Sequence, residues 1–372
     1  MKNTPERIRV HEPILGQPEA DALMRCIREV HASGNSPIVG EFEQAFATRI
    51  GAQHALAVTS GSTALHLAFA TCGVGPGDEV IVPTFTFAPC ADMVALCGAK
   101  VVFVDSQLAG FGLDVEAVEA AITERTRAVL AVHMYGHACE IDAVAALCKR
   151  RDLVLIEDCA QAIGATWQGQ PVGSFGAMAC YSFYANKHIT TGEGGMVTTN
   201  DAALAERGRW LRNHALDRGD ARPYHHSAVA FNYRMPAFCA AVGLAQLGRF
   251  DPALERRAVI AARYRRGLDG VPGCTVPPVD SRVGVHSHWA HTVLLDASAD
   301  PVAAFLRAAA IDTRPFYYPL HLHDAYGGQP GSHPVSEDFW GRGLVLPSGG
   351  GLRDDQVDRV CDMLRQALGA AV

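Results

Sequence analysis

Residues 181–200 read Y-S-F-Y-A-N-K-H-I-T-T-G-E-G-G-M-V-T-T-N. Two short runs of strand-forming composition, Ala179–Phe183 and Met196–Thr199, follow one another here with no helical pattern between them. They are expected to lie in one sheet as a hairpin. The preceding chain has a different rhythm. Strand candidates Ala55–Val58, Glu79–Val82, Val101–Val104, Ala128–Val132 and Leu153–Ile156 alternate with helical stripes at Thr63–Cys72, Ala88–Cys97, Val115–Ile122 and Ile141–Arg151. That is the pattern of parallel strands joined by crossover helices. Parallel strands followed by a hairpin imply an α/β fold with a mixed sheet covered on both faces.

Further on, Pro236–Leu268 reads as one long helical segment bridging to a smaller unit. That unit holds a strand at His291–Leu295, a helix at Pro301–Ala310, the stretch T-R-P-F-Y-Y-P-L-H at 313–321, and a closing helix from Asp354 to Leu368. The expected division is residues 1–245, a large domain with an N-terminal segment, and 246–372, the bridging helix with a small C-terminal α+β domain.

The 372 residues, 49% hydrophobic and 19% charged, suit a soluble globular protein with an ample core. A net charge of -7, with no basic run and no helix-turn-helix or zinc-finger pattern, gives no reason to expect nucleic-acid binding. The N-terminus M-K-N-T-P-E-R-I-R-V has no apolar signal segment, and no stretch approaches the roughly 20 apolar residues of a membrane span. A cytosolic protein is expected. The 11 cysteines are scattered through apolar runs without a C-x-x-C pair, which favours buried reduced thiols over disulfides or a thiolate zinc site.

Ligands of open α/β sheets bind where loops converge at the carboxyl ends of strands and helix N-termini point free N–H groups outward. Three segments fit. In A-V-T-S-G-S-T-A-L-H, residues 57–66, a strand turns through Ser60, Gly61 and Ser62 into a helix, which suits a phosphate and equally suits an ordinary N-cap. In L-V-L-I-E-D-C-A-Q-A, residues 153–162, the apolar run ends on Glu157 and Asp158. A carboxylate there needs a cation, whether a metal, an arginine or a protonated ring nitrogen, unless it merely caps the next turn. The third is Lys187, 29 residues after Asp158. Its neighbours Phe183, Tyr184 and Ile189 would desolvate it, lowering the ammonium's pKa toward the range of an amine nucleophile. Phosphate, pyridinium nitrogen and aldehyde are the three handles of pyridoxal phosphate.

Five motifs then stand in order between Ser36 and Pro347 or just inside: S-G-S-T-A-L-H, V-P-T-F-T-F, E-D-C-A-Q-A-I-G-A, S-F-Y-A-N-K-H-I-T-T-G-E-G-G-M and F-N-Y-R-M-P-A-F-C-A-A-V-G-L-A-Q-L. Together they resemble the sugar aminotransferases of the DegT/DnrJ/EryC1/StrS family, and most nearly its perosamine synthase-like 4-aminotransferases. The resemblance implies the PLP-dependent transferase fold type I, aspartate aminotransferase-like, with a large mixed-sheet α/β/α domain that binds the cofactor. It also implies a homodimer with active sites at the subunit interface. By the same resemblance Lys187 forms the Schiff base with pyridoxal 5'-phosphate and shuttles the proton, Asp158 keeps the pyridine nitrogen protonated, and Gln161 contacts the 3-hydroxyl. Gly61, Ser62 and Ser182 hold the phosphate, with Asn232 reaching it from the other subunit. Phe87 stacks on the ring, although Phe85 shares its strand face if the strand continues.

The implied reaction takes an amino group from L-glutamate, through pyridoxamine phosphate, to a nucleotide-linked 4-keto-6-deoxyhexose, with ping-pong kinetics. Alternatives are a 3-keto sugar or a cyclitol ketone as acceptor, or a PLP-binding regulator without turnover. His321 and His323, with Tyr317 and Tyr318, lie in a segment the family uses near its substrate, which implies a sugar or nucleotide contact. Arg212, His214, Arg234 and Arg314 are candidates for the diphosphate or the donor carboxylates. No metal site is expected, since His133, His137 and Cys139 fall at a strand end and turn, and His286, His288 and His291 alternate along a strand start. Some relatives replace the lysine by histidine and dehydrate instead; here the lysine remains and His188 is only its neighbour. The family's tryptophan near the N-terminal substrate segment is absent from H-A-S-G-N-S-P-I-V-G, where His31 and Asn35 stand.

Overall fold

Seven strands build the main sheet of the computed structural model, which describes residues 6–107, 110–216 and 224–369. They are β1 (His54–Val58), β2 (Glu79–Pro83), β3 (Lys100–Val104), β4 (Thr126–Val132), β5 (Val154–Asp158), β6 (Met178–Ser182) and β7 (Gly195–Thr199), in the spatial order β1-β7-β6-β5-β4-β2-β3. The expected hairpin is present: β7 runs antiparallel to β6 and also to β1. The pairs β2–β3, β2–β4, β4–β5 and β5–β6 are parallel. Since β7 opposes both neighbours, β1 points the same way as β5 and β6. The carboxyl ends of these three strands therefore meet at one edge.

Alternation along each strand feeds two cores. Ala55 and Ala57 of β1 join Phe42, Phe46, Tyr181 and Phe183 on one face. Leu56 and Val58 join Leu65, Phe69 and Val197 on the other, under the helix Gly61–Thr71. Every residue of β2, β6 and β7 is buried, as a sheet covered on both faces requires. Gly195 at the start of β7 faces Val58 on one side and Ser182 on the other. A Cβ there would sit 2.3 Å from the Ser60 carbonyl oxygen, so only glycine lets the two strand ends close together.

A second sheet, of β8 (Cys274–Thr275), β9 (His291–Leu295), β10 (Arg314–Pro315) and β11 (Gly343–Leu346), is antiparallel in the order β8-β9-β11-β10. Tyr264, Val293, Leu306, Leu344 and Val360 form its core. Ile8 belongs to that core too, and its backbone bonds to Ala310 and Asp312, so the N-terminal segment lies with the C-terminal elements rather than with the residues that follow it in sequence. The stretch 236–268 is two helices, Ala237–Leu247 and Phe250–Gly267, not one. Pro252 explains the break: a continuous helix would require its missing N–H to reach the carbonyl of Gly248.

Candidate active site

Ser60 caps the helix that follows β1. Its Oγ accepts from the Thr63 amide at 3.1 Å, and Thr63 Oγ1 accepts from the Ser60 amide at 2.9 Å, a reciprocal cap. The Ser60 hydroxyl is thereby committed, while Gly61 and Ser62 open onto a cavity of about 440 Å³. A Cβ on Gly61 would stand 2.8 Å from the Ser182 Cβ, so the missing side chain brings the turn against the end of β6. Hydroxyls of Ser62 and Ser182 and the free first-turn amides converge there, a setting that suits a phosphate.

The two acids ending β5 part company, as strand alternation demands. Glu157 turns away from the cavity, accepts from the amides of Gly173, Phe175 and Gly176 at 2.7–2.8 Å, and meets His133 Nε2 at 3.1 Å. Asp158 turns into it. Asp158 Oδ1 accepts from the Ala160 amide at 2.9 Å, and Oδ2 accepts from the Cys90 thiol at 3.2 Å. Burial first, then the Asp158 charge, drives that thiol's pKa well above its ordinary value. Gln161 also lines the cavity, its Oε1 fixed by the Tyr135 amide at 2.9 Å and its Nε2 3.5 Å from the Tyr317 hydroxyl.

Lys187 closes a turn after β6, its amide donating to the Tyr184 carbonyl at 2.9 Å, and its Nζ lies 4.1 Å from the centre of the Trp289 ring. Surrounding protein crowds water from the ammonium, and this burial brings its pKa down to about 8 against the opposing pull of Asp158 and Cys90; Arg314 lowers it further. At pH 7 about a tenth of such a group is free amine, against well under a thousandth at the ordinary lysine value.

Of the residues picked out by sequence, Gly61, Ser62, Phe87, Asp158, Gln161, Ser182, Lys187 and Arg314 share this cavity. Phe85 and Phe87 part because β2 stops at Pro83 and the strand alternation stops with it. Phe85 is fully buried among Phe111, Phe316 and Phe339, whereas Phe87 is exposed at the cavity, 5.8 Å from Tyr317. His321, Tyr318, Arg234 and Asn232 do not line it. His321 is buried between Thr84 Oγ1 at 2.7 Å and Glu337 Oε1 at 3.1 Å. Tyr318 packs on His323 and Trp340. Arg234 donates to Asn213, and Asn232 is exposed beside Asn213. Arg212 is paired with Glu43.

Cys90 and Trp289 line the cavity without having been assigned a role from sequence, and Tyr317, from the segment expected near the substrate, lines it as well. Cys90 follows the V-P-T-F-T-F motif closely; Trp289 arrives from the bend just before β9 and carries no local signal. Among the described residues, His133, Glu157 and Cys159 have the mutual spacing of metal ligands. Their donor atoms are already committed, since His133 Nδ1 accepts from the Cys139 amide and Nε2 faces Glu157. His137, by contrast, bonds to Ala138 and Asp280.

The model of the DegT/DnrJ/EryC1/StrS aminotransferase family matches residues 15–365. The chain is 41% identical to the GDP-perosamine synthase of Caulobacter vibrioides over 97% of this chain and 98% of that protein. It is 39% identical to the dTDP-3-amino-3,4,6-trideoxy-alpha-D-glucose transaminase of Streptomyces venezuelae, over 94% and 92% respectively. The solved PLP form of the sugar aminotransferase Spr1654 from Streptococcus pneumoniae, described as putative in that activity, superposes with a TM-score of 0.92 at 27% identity, covering 98% of this chain and 99% of that one. Among the described residues no helix is long and apolar enough to cross a membrane.

Proposed function

The chain belongs to the DegT/DnrJ/EryC1/StrS aminotransferase family and is a PLP-dependent transaminase, and we propose that it moves an amino group from L-glutamate to C4 of a nucleotide-linked 4-keto-6-deoxyhexose. The observation that carries the proposal is an amine depressed to about 8, Lys187, in one cavity with a buried carboxylate and a serine-glycine turn. Near-complete alignment with a GDP-perosamine synthase supports the sugar and the GDP carrier.

The residues fit the cofactor. Gly61 leaves open a cradle that a Cβ would fill, Asp158 presents an oxygen held only by a thiol, and Lys187 presents the amine. When bound, pyridoxal phosphate supplies an electron sink for the charge left as a Cα–H bond breaks, and a carrier for the amino group. Ser62 and Ser182, with the first-turn amides, hold a phosphate, and Phe87 covers a ring face. Asp158 keeps a ring nitrogen protonated, and Cys90 orients that carboxylate. Gln161, fixed by the Tyr135 amide, holds its Nε2 only by long contacts to the Tyr317 hydroxyl and the Met134 sulfur, so that donor can turn to a ring oxygen. Lys187 Nζ takes the Cα proton and returns it, which a group of pKa about 8 does in both directions near neutral pH. Burial by Trp289 and Tyr317 keeps competing water away.

The homodimer is part of this proposal, and the exposure of Asn232, which leaves it available to a second copy's cavity, supports it. Its 11 unpaired cysteines suit a reducing compartment such as the cytosol. A second reading, amination at C3, is favoured by the 39% identity to the Streptomyces venezuelae transaminase. Purified protein incubated with glutamate and either a 4-keto or a 3-keto nucleotide sugar tests both. The expected result is 2-oxoglutarate formed in step with amino sugar from the 4-keto substrate; turnover of the 3-keto substrate alone transfers the assignment, and turnover of neither ends it.

A further inference from the structure

Behind Lys187 lies a second cavity, of about 240 Å³, bordered by Lys187, His188, Arg249, Arg256, Arg257 and Glu12. Two of its arginines are already paired. Arg249 meets Glu19 and the Ile14 carbonyl, and Arg256 meets Asp354 and the Leu352 carbonyl. Arg257 is different. It is buried, and its Nη1 donates to the carbonyls of Trp289 and Ser348 at 3.0 Å, with His288 at 3.4 Å. Among the described residues its partners are backbone carbonyls and no carboxylate pairs with it, and burial brings its pKa down to about 10.

The groups around it share the same lack. His188 Nε2 donates to the Ser287 carbonyl at 2.9 Å, which leaves its buried Nδ1 without a partner. His11 Nδ1 is likewise buried and unpartnered, and its pKa is held well down by burial and by the charges of Arg257, Arg314 and Lys187. The carboxylate on the cavity wall, Glu12, is largely exposed and paired with Arg9. The Arg257 guanidinium is thus held by backbone carbonyls alone, the imidazoles near it are uncharged, and its positive charge lacks the anionic partner that a buried charge favours. The chamber shares Lys187 as a lining residue with the larger cavity, so an arriving anion lies beside the residue that reacts.

We propose that this chamber is an anion subsite of the transamination site, in which Arg257 receives an acidic oxygen group of a substrate being processed at Lys187. This rests on the transaminase reading above. Two substrates carry such a group: the amino donor has carboxylates, and the nucleotide sugar has a diphosphate. Arg257 offers two donors in one plane to either. His188 can take a proton on Nδ1 once the anion offsets the neighbouring charges.

The test titrates the visible absorption band of the holoenzyme with glutarate, a dicarboxylate that cannot transaminate, and separately with inorganic pyrophosphate. An anion in the chamber favours the protonated form of the Lys187 nitrogen, so the pH midpoint of the band rises. Arg257→Gln should weaken the effective anion by roughly 10- to 150-fold, the loss expected for a hydrogen bond to a charged group, and Arg257→Lys should recover part of it. A response to glutarate assigns the subsite to the donor, and a response to pyrophosphate assigns it to the sugar nucleotide. A band indifferent to both, or a response unchanged in both variants, overturns the proposal. If neither variant folds, competition of glutarate or pyrophosphate against its parent substrate in the wild-type enzyme decides. These titrations need no amino sugar to form, so an incorrect acceptor assignment fails separately.

Discussion

Gly61→Ala tests how the phosphate cradle is made. The new Cβ would lie 2.8 Å from the Cβ of Ser182 and 3.2 Å from its Oγ. Carbon atoms rest about 3.5 Å or more apart, so one of the two backbones must move by roughly 0.7 Å. Neither yields easily. Ser182 is the last residue of β6, paired with Gly195, and Gly61 follows directly on the reciprocal cap of Ser60 and Thr63. Overpacking between two fixed backbones costs about 1–3 kcal/mol. If the turn swings away to relieve it, the same energy appears as weaker cofactor binding, roughly 5- to 150-fold. The assay is an absorbance titration of the apo-protein with pyridoxal phosphate, alongside thermal denaturation of the apo form. Gly40→Ala is the control: that glycine lies in the helix Pro37–Ile50 with nothing within 4 Å of a new Cβ. It should stabilise the protein by about 0.5–1 kcal/mol and leave cofactor affinity alone. Should Gly61→Ala bind the cofactor within about twofold of wild type and melt normally, the cradle argument is wrong.

Four further outcomes are expected. In the apo-protein, reaction of Lys187 with an amine reagent should rise through a midpoint near 8; a midpoint at the ordinary lysine value would remove the basis for its reactivity. The linkage has a definite sign: the unfolded chain keeps this proton to higher pH than the folded one, so the lysine's contribution to stability should increase as pH rises from about 8 toward its ordinary value, measurable by denaturant titration. Cys90, whose thiol is fully buried and shifted well upward, should escape alkylation by iodoacetamide at pH 8 in the native holoenzyme, and peptide mapping that finds it labelled would contradict the Asp158 contact. His321→Ala leaves Thr84 and Glu337 without their buried partner and should cost about 1–3 kcal/mol of stability; a variant of unaltered stability with a raised KM for the nucleotide sugar would instead make His321 a substrate contact.

Much of the architecture was legible because its signal is local. Ile141–Arg151 and His291–Leu295 have the same bounds in sequence and structure, since both are short runs with clear period and clear stops. The hairpin was legible for the same reason: its two strands stand next to each other in the chain. The break ahead of Pro252 is masked in the sequence because the apolar stripe runs on through it. Elements such as β11, Gly343–Leu346, have too few residues to show a period; they exist because β9 and β10 flank them. Site residues divide along the same line. Those at strand ends, Gly61, Asp158 and Ser182, carry a strand-then-turn signature. Trp289, from the bend just before β9, packs on Lys187, and Arg257, from the helix Phe250–Gly267, borders a cavity with it; both are facts of tertiary structure alone.

The pair Glu157–Asp158 also shows why a site acid needs a companion that never touches the ligand. Strand alternation sends the two carboxylates to opposite faces, and only Asp158 enters the cavity. Glu157, with three backbone amides and His133 around it, anchors the loop 173–176 that leads into β6. β6 in turn ends on Ser182, the other side of the Gly61 cradle. Removing one partner of so fully buried a group leaves an uncompensated charge or several orphaned amides, at about 3–5 kcal/mol. The position of the phosphate cradle relative to Asp158 is thus set by the register of β5 on β6, Asp158 against Cys180, and Glu157 holds that register from the far face. An acid that looks redundant in E-D is what keeps the distance between the ends of the cofactor site fixed.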